Sequence, residues 1–325
     1  MIFVKNKKME RKHIVVVGLG GVGGYFGFKI NQTNESKKQH QITFVAREQT
    51  FDTVKNNGLI LLSDEHPNSV TKPEFICDNI KEISSPDLIL VCTKEYDLEN
   101  ICKQIIQIIS PKTIILPMMN GADIYERIRK LIPKNTILPS CIYVASHIKE
   151  KGIVEHKGKP GKIFIGRDPE NFNKNIDWIA DLLSESRIDF ELKDNSFTEI
   201  WTKFVFIASF GLVTSKHNSS IGDVCAVPLQ RSEAEEIMKE IKLIADKKGI
   251  KLHTKILEKT FEKAATFPPK TPTSLQLDIN SNKANNELEL FASPIINYGI
   301  ELNIKTPYTE KIYNELKEKI KLNSF

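Results

Sequence analysis

The 325-residue sequence has few cysteines, and their spacing is informative. Cys77, Cys92, Cys102, Cys141 and Cys225 are odd in number and none stands in a C-x-x-C pair. This argues against a disulfide-stapled scaffold or a zinc ribbon and fits reduced thiols in a cytoplasmic protein. Long apolar runs are also missing. Stretches such as Phe204–Ala208 fall far short of the roughly 20 residues that cross a bilayer, so no membrane span is expected. The opening MIFVKNKKMERKH has positive charge but no apolar region behind it, so no signal peptide is expected. Met9 is an alternative start, and residues 1–12 read as an extension able to be disordered. No internal repeat or low-complexity tract occurs. The net charge of +5 comes from lysines interleaved with acids, as in KEYDLEN and EKTFEKAA. With no basic helix, aromatic stacking platform or zinc spacing, nucleic-acid binding ranks last and no metal site is expected.

What is present is an ordinary globular composition, 40% hydrophobic and 27% charged, long enough for two domains. The stretch from His13 to Gly27, HIVVVGLGGVGGYFG, organises the first of them. Four apolar residues, Ile14 to Val17, read as a strand and run into Gly18-Leu19-Gly20-Gly21-Val22-Gly23 at the head of an apolar helix. Gly18, Gly20 and Gly23 fit G-x-G-x-x-G, where they would give the tight turn, the close approach of a pyrophosphate, and helix–strand packing. The free N–H groups of the helix start favour the phosphate charge. The helix is expected to end near Ile30, in the polar run NQTNESKKQH.

A second strand, Gln41–Ala46, ends at Arg47 and Glu48. An arginine there accommodates the 2′-phosphate of NADP, so NADP(H) is the expected cofactor. The alternative leaves Arg47 exposed and puts Glu48 on the ribose. Leu59–Leu62 and Val70–Ile76 read as a small hairpin. The buried strands Asp87–Thr93 and Thr113–Leu116 lead to Lys94 and Asn120. Such βαβ alternation predicts a parallel sheet with ligands beyond its carboxyl ends, where Gly20, Arg47, Lys94 and Asn120 all fall. Residues 137–190 read as short strands extending that sheet antiparallel, with a helix at 175–185. His147 and His156 lie there without a partner for catalysis.

Strand signals stop near Ser196. Segments 198–214, 228–248, 254–265, 273–281, 285–299 and 307–322 read as helices. The expected class is therefore α/β: a Rossmann-type dinucleotide-binding domain over 1–195, then a mostly α-helical substrate and catalytic domain over 196–325. Lys203 lies between Trp201 and Phe204 in EIWTKFVFIASFGLV, a segment apolar on nearly every face. A lysine buried there is costly and its pKa is expected to fall, poising it as a proton donor at a domain interface. The bland reading is a side chain snorkelling from near the helix start.

The succession GLGGVGGYFG, VCTKEYD, PMMNG, IWTKF, PTSLQLD and NNELE resembles the ketopantoate reductase family over residues 13–320. The resemblance implies NADPH-dependent reduction of a 2-oxo acid, 2-dehydropantoate to pantoate in pantothenate biosynthesis. It makes Lys203 the catalytic lysine that protonates the carbonyl oxygen. Lys94 and Asn120 become active-site residues touching cofactor and substrate, Ser274 a substrate contact, and Glu287 the glutamate near both. Arg47 matches the arginine that selects NADPH, and a homodimer is compatible with the family. The pattern departs in two places. Ile207 and Gly211 stand four and eight residues after Lys203, where the family has asparagines, with Ser209, Thr214 or Ser215 as candidate substitutes. The interval from Asp278 to Glu287 is one residue longer than usual. Reduction of another 2-oxo acid or an imine, or a non-catalytic NADP-binding sensor, are the alternatives.

Overall fold

The computed structural model describes residues 10–65, 67–281 and 285–322. Met9 and the first nine residues of the expected extension lie outside them. Glu10–Lys12 do not: Arg11 pairs with Glu74 at 3.0 Å, and Lys12 lies 3.6 Å from Asp87. The chain divides into two compact units. The first comprises the residues up to Met119 together with Ile124–Asn195; the second comprises Asn120–Asp123 and the residues from Ser196 onward.

The first unit begins with β1 (His13–Val17), α1 (Gly21–Lys37), β2 (Gln41–Val45), α2 (Glu48–Asn57), β3 (Leu59–Leu62), β4 (Ser69–Thr71) and β5 (Phe75–Cys77). Then come β6 (Leu88–Val91), α3 (Leu98–Ile105), β7 (Ile114–Pro117), α4 (Ile124–Leu131), β8 (Thr136–Ile137) and β9 (Ser140–Tyr143). The unit closes with β10 (Ser146–Glu150), β11 (Ile153–His156), β12 (Lys162–Gly166), α5 (Asp177–Glu185) and β13 (Asp189–Lys193). Six strands form one parallel sheet in the order β5-β2-β1-β6-β7-β8. Taking those strands in chain order, this is the 3-2-1-4-5-6 order of a doubly wound dinucleotide-binding fold. Helices cover the sheet, so its central strands need apolar side chains on both faces; β6 and β7 are accordingly buried throughout. Val17 aligns with Val45 on one side and Val91 on the other, so the carboxyl ends finish flush.

Three sequence expectations need correction. First, α1 runs on to Lys37 through the polar residues read as a loop. Asn31 and Asn34 are buried with their hydrogen bonds made: Asn31 Nδ2 donates to Thr71 Oγ1 at 2.7 Å, and Asn34 Oδ1 accepts from the His40 N–H at 2.9 Å. Satisfied polar groups of this kind are tolerated inside a fold. Second, the 70–76 run splits: β4 pairs antiparallel with β3, whereas β5 joins the main sheet beside β2. Third, past Ile137, which closes β8 of the main sheet, the residues up to 190 do not extend that sheet. They build a sheet β10-β11-β3-β4 and another β13-β12-β9, with β11 parallel to β3 and β13 parallel to β12. Parallel pairing needs partners distant in sequence, so local patterning does not reveal it.

The second unit is helical: α6 (Phe197–His217), α7 (Ile221–Ala226), α8 (Pro228–Lys247), α9 (Ile256–Ala264), α10 (Ser274–Asn280), α11 (Leu288–Leu302) and α12 (Pro307–Leu322). Helix α7 is absent from the sequence reading, although Ser220 and Asp223 form its capping box. Contrary to the expectation that nothing reaches the size of a membrane span, α6 is long and apolar enough by length and composition. Its most apolar window is 61% buried within the protein, against α8, α10, α11 and α12 among others, which makes it the core helix of its unit. Glu240 on α8 accepts the N–H groups of Tyr308 (2.8 Å) and Thr309 (3.1 Å), satisfying donors at the start of α12. Burial raises its pKa, against the lowering effect of those bonds.

Candidate active site

The glycine turn follows β1 directly. Gly18 has φ +92°, a conformation that favours glycine, and its N–H donates to Val45 O at 2.9 Å. A Cβ on Gly23 would sit 1.9 Å from the Gly18 carbonyl oxygen, so only a glycine lets α1 lie this close to the turn. A Cβ on Gly21 would meet the Ser146 carbonyl at 2.4 Å. Leu19 is buried and Val22 packs against the core, so both offer backbone rather than side chain. Gly20 is different: nothing lies within 4 Å of its would-be Cβ, and as N-cap of the 17-residue α1 it provides no capping side chain. No acidic residue occupies the first turn. A helix start with donors facing open space and no local carboxylate suits a pyrophosphate. Close by, Thr93, whose methyl lies 3.1 Å from the would-be Cβ of Gly18, has a buried hydroxyl without a hydrogen-bond partner. The residues present therefore fit a dinucleotide.

Arg47 stands two residues beyond β2, mostly exposed. Its guanidinium bonds Asp97, with Nη2 to Oδ2 at 2.6 Å and Nη1 to Oδ1 at 3.4 Å. The Asp97 carboxylate raises its pKa, so the charge is permanent. Glu48, the alternative ribose ligand, is exposed with φ +51° at the head of α2. Lys94 is exposed three residues past β6, at the start of a single 3-10 turn, Glu95–Asp97, that carries Asp97. His156 packs on the Tyr25 ring and bonds Lys159 O at 3.0 Å, while His147 lies 3.4 Å from Glu155. Two grooves of about 950 and 790 Å³ lie elsewhere on the first unit, and neither is lined by the glycine turn, Arg47 or Lys94.

In the second unit, Lys203 is half-buried on α6 rather than enclosed. Its Nζ donates to Asn120 Oδ1 at 2.7 Å. Asn120 leaves β7 through Pro117-Met118-Met119 and groups with the helices, and Gly121 follows it at φ +123°. Two residues 83 apart in sequence are thus brought into contact. Glu287 is buried, 4% exposed, at the N-cap of α11. Ser274 is exposed at the first position of α10, after the capping Thr273. Both helices pack on α6.

The hydroxyls considered as substitutes for the missing asparagines are engaged elsewhere. Ser209 Oγ donates to Val205 O at 2.6 Å, and Ser215 Oγ to Gly211 O at 2.7 Å. Thr214 Oγ1 donates to Phe210 O at 2.7 Å and lies 2.7 Å from Thr273 Oγ1. All three side chains are fully buried.

Comparison with known proteins follows the same division. Residues 14–170 match the family model described as Ketopantoate reductase PanE/ApbA, and residues 195–320 match Ketopantoate reductase PanE/ApbA C terminal. The chain belongs to the ketopantoate reductase family. It is an oxidoreductase of that family. A Bacillus subtilis relative named uncharacterized oxidoreductase YkpB is 24% identical over 93% of this chain and 97% of its own. A 2-dehydropantoate 2-reductase from Streptococcus pyogenes is 25% identical over 92% and 95%. Among solved structures, the PanE/ApbA family ketopantoate reductase of Ralstonia eutropha superposes with a TM-score of 0.85 at 19% identity, covering 96% of this chain and all of its own. The fold is shared throughout.

Proposed function

We propose that this protein reduces a 2-oxo acid to the 2-hydroxy acid with NADPH, 2-dehydropantoate being the substrate named for its relatives. The observation that carries the reading is Lys203 Nζ held at 2.7 Å by the Asn120 amide oxygen on a half-buried face of α6. A non-catalytic sensor has no need of such a donor.

The glycine turn would hold NADPH, whose chemistry there would be to supply a hydride for the keto carbon. The backbone of Gly18–Gly23 takes the pyrophosphate, and Arg47, steered by Asp97, takes the 2′-phosphate. Lys203 hydrogen-bonds the keto oxygen, gives it a proton as negative charge develops, and is reprotonated from water. Asn120 orients that ammonium. Lys94, Ser274 and Glu287 bind the carboxylate end and the hydroxyl product on the family's pattern. The division of labour is a cofactor domain over residues 1–195 and a substrate domain over 196–325. None of the five cysteines is in a disulfide, which supports a reducing, cytoplasmic setting. A relative from Staphylococcus aureus is described as dimeric, which supports a homodimer.

The cofactor assignment is tested with Arg47→Ser. The wild type is expected to use NADPH with a kcat/KM roughly tenfold or more above that for NADH. The variant should lose most of that preference through KM, since a charge-assisted bond to phosphate contributes about 1.5–3 kcal/mol. An unchanged preference removes Arg47 from the phosphate site.

A second reading keeps the chemistry and changes the acid. The apolar residues Ile207 and Gly211 on the lysine's own helix favour it.

A further inference from the structure

Beyond Lys203 on α6, the helical repeat places Phe206 and Ile207 one turn on and Phe210, Gly211 and Thr214 farther along the same stripe. Every one of these positions is apolar except Thr214, whose hydroxyl already serves Phe210 O and Thr273. Phe206 and Ile207, one turn beyond Lys203 on α6, are half-buried and so keep accessible apolar surface. Phe206 is fixed by stacking on Phe267, with ring centroids 5.6 Å apart and planes at 13°. Around Gly211 the space is filled by hydrocarbon: a Cβ there would lie 3.5 Å from the Phe291 ring and 3.8 Å from Leu275 Cβ. These are ordinary van der Waals distances, so a side chain at this position would be packed among hydrocarbon. Beyond the lysine, toward the carboxyl end of α6, this stripe therefore presents carbon and no uncommitted side-chain hydrogen-bonding group, while Asn120 bonds the ammonium itself.

Resting on the 2-oxo acid reductase reading above, we infer that the preferred substrate is a 2-oxo acid with a branched or aromatic hydrocarbon side chain, without a hydroxyl beyond the keto carbon. A hydroxyl placed against Phe206 and Ile207 would lose water and gain no partner there. The sizes of such effects tell the two kinds of site apart. A site built to bond a substrate hydroxyl rejects the analogue lacking it by about 10⁴-fold or more, whereas a hydrocarbon site disfavours an added hydroxyl by only about 10²-fold. The sign of the preference is thus decisive.

The probes are a matched pair, 3,3-dimethyl-2-oxobutanoate and its 4-hydroxy derivative, ketopantoate, compared by kcat/KM at saturating NADPH with the full-length wild type. The unhydroxylated acid is expected to win by roughly 10–100-fold. Ile207→Asn, which puts an amide on the half-buried position beside Lys203, should move the ratio toward the hydroxylated acid. A wild-type ratio at or below one overturns the inference while leaving the reductase reading intact. Failure to consume NADPH with either acid or with any other 2-oxo acid overturns the reductase reading itself.

Discussion

Replacing Lys203 by alanine should lower kcat by roughly 10²–10⁴-fold, the usual worth of a positioned proton donor, while NADPH affinity stays close to wild type. The two halves of that expectation rest on different residues. The cofactor is assigned to the glycine turn and Arg47 of the first unit. The proton is assigned to Nζ, which donates to the Asn120 amide oxygen. Because Lys203 is half-buried on a helix held by Trp201, Phe204 and Val205, alanine removes the donor without opening the core. Steady-state kinetics paired with NADPH titration by fluorescence separates the effects. A variant that keeps wild-type turnover ends the proton-donor assignment, and one that stops binding NADPH shows that the change reached the first unit.

The largest stability effect is expected at a residue with no part in the chemistry. Asp168, fully buried just after β12, accepts from Tyr125 OH at 2.8 Å, Arg129 Nη2 at 2.6 Å and the Ile137 N–H at 2.9 Å. The same arginine donates to the carbonyls of Pro133 (3.0 Å) and Asn135 (2.8 Å), tying the end of α4 to the approach to β8. Asp168→Ala leaves a largely buried guanidinium with only the exposed Glu170, 3.3 Å from its Nε, as counter-ion, and strips Tyr125 and the Ile137 N–H of their acceptor, which together cost about 3–5 kcal/mol. In a unit of this size the midpoint of thermal unfolding should fall by on the order of 10 °C. Burial alone would raise the Asp168 pKa, but the N–H groups of Ile137 and Glu170, with Tyr125 and Arg129, outweigh it and hold the pKa below the ordinary aspartate value. Its stabilisation is therefore complete above the unfolded aspartate pKa of about 3.9 and is lost as pH falls through the lower folded value. Wild type and variant should accordingly converge in stability under strong acid. A difference that persists unchanged there would mean that packing, and not charge, is what alanine removes.

Much of the first unit was legible in sequence because its signals are local. A β-branched run ending in closely spaced glycines specifies strand, turn and helix together, and Arg47, Lys94 and Asn120 each end or follow a strand. The helices of the second unit were legible for the same reason, down to Pro228 at the start of α8. What escaped depends on residues far apart in the chain. The partner of β11 is β3, some 90 residues earlier by chain position, and no alternation within either strand announces it. Polar Asn31 and Asn34 read as loop until Thr71 and His40 appear beside them. Asp168 carries no motif, and its importance comes from the donors that converge on it. At the site, the lysine was conspicuous as a charge between Trp201 and Phe204 in an apolar stretch of helix, yet its contact with Asn120 required the fold. The hydroxyls of Ser209, Thr214 and Ser215 looked available on paper because sequence cannot say that a helix carbonyl has already claimed them.

The central claim is that hydride passes from NADPH to the carbon of a 2-oxo acid, and isotope transfer tests it most directly. The full-length protein would be given NADPH carrying deuterium at both C4 positions, with 3,3-dimethyl-2-oxobutanoate as acceptor, and the product analysed by mass spectrometry and proton NMR. The account predicts a 2-hydroxy acid with one deuterium on C2, formed in step with NADPH consumption, and its loss in Lys203→Ala. Deuterium-free hydroxy acid, or NADPH that is bound but not consumed with this or any other 2-oxo acid, would contradict it.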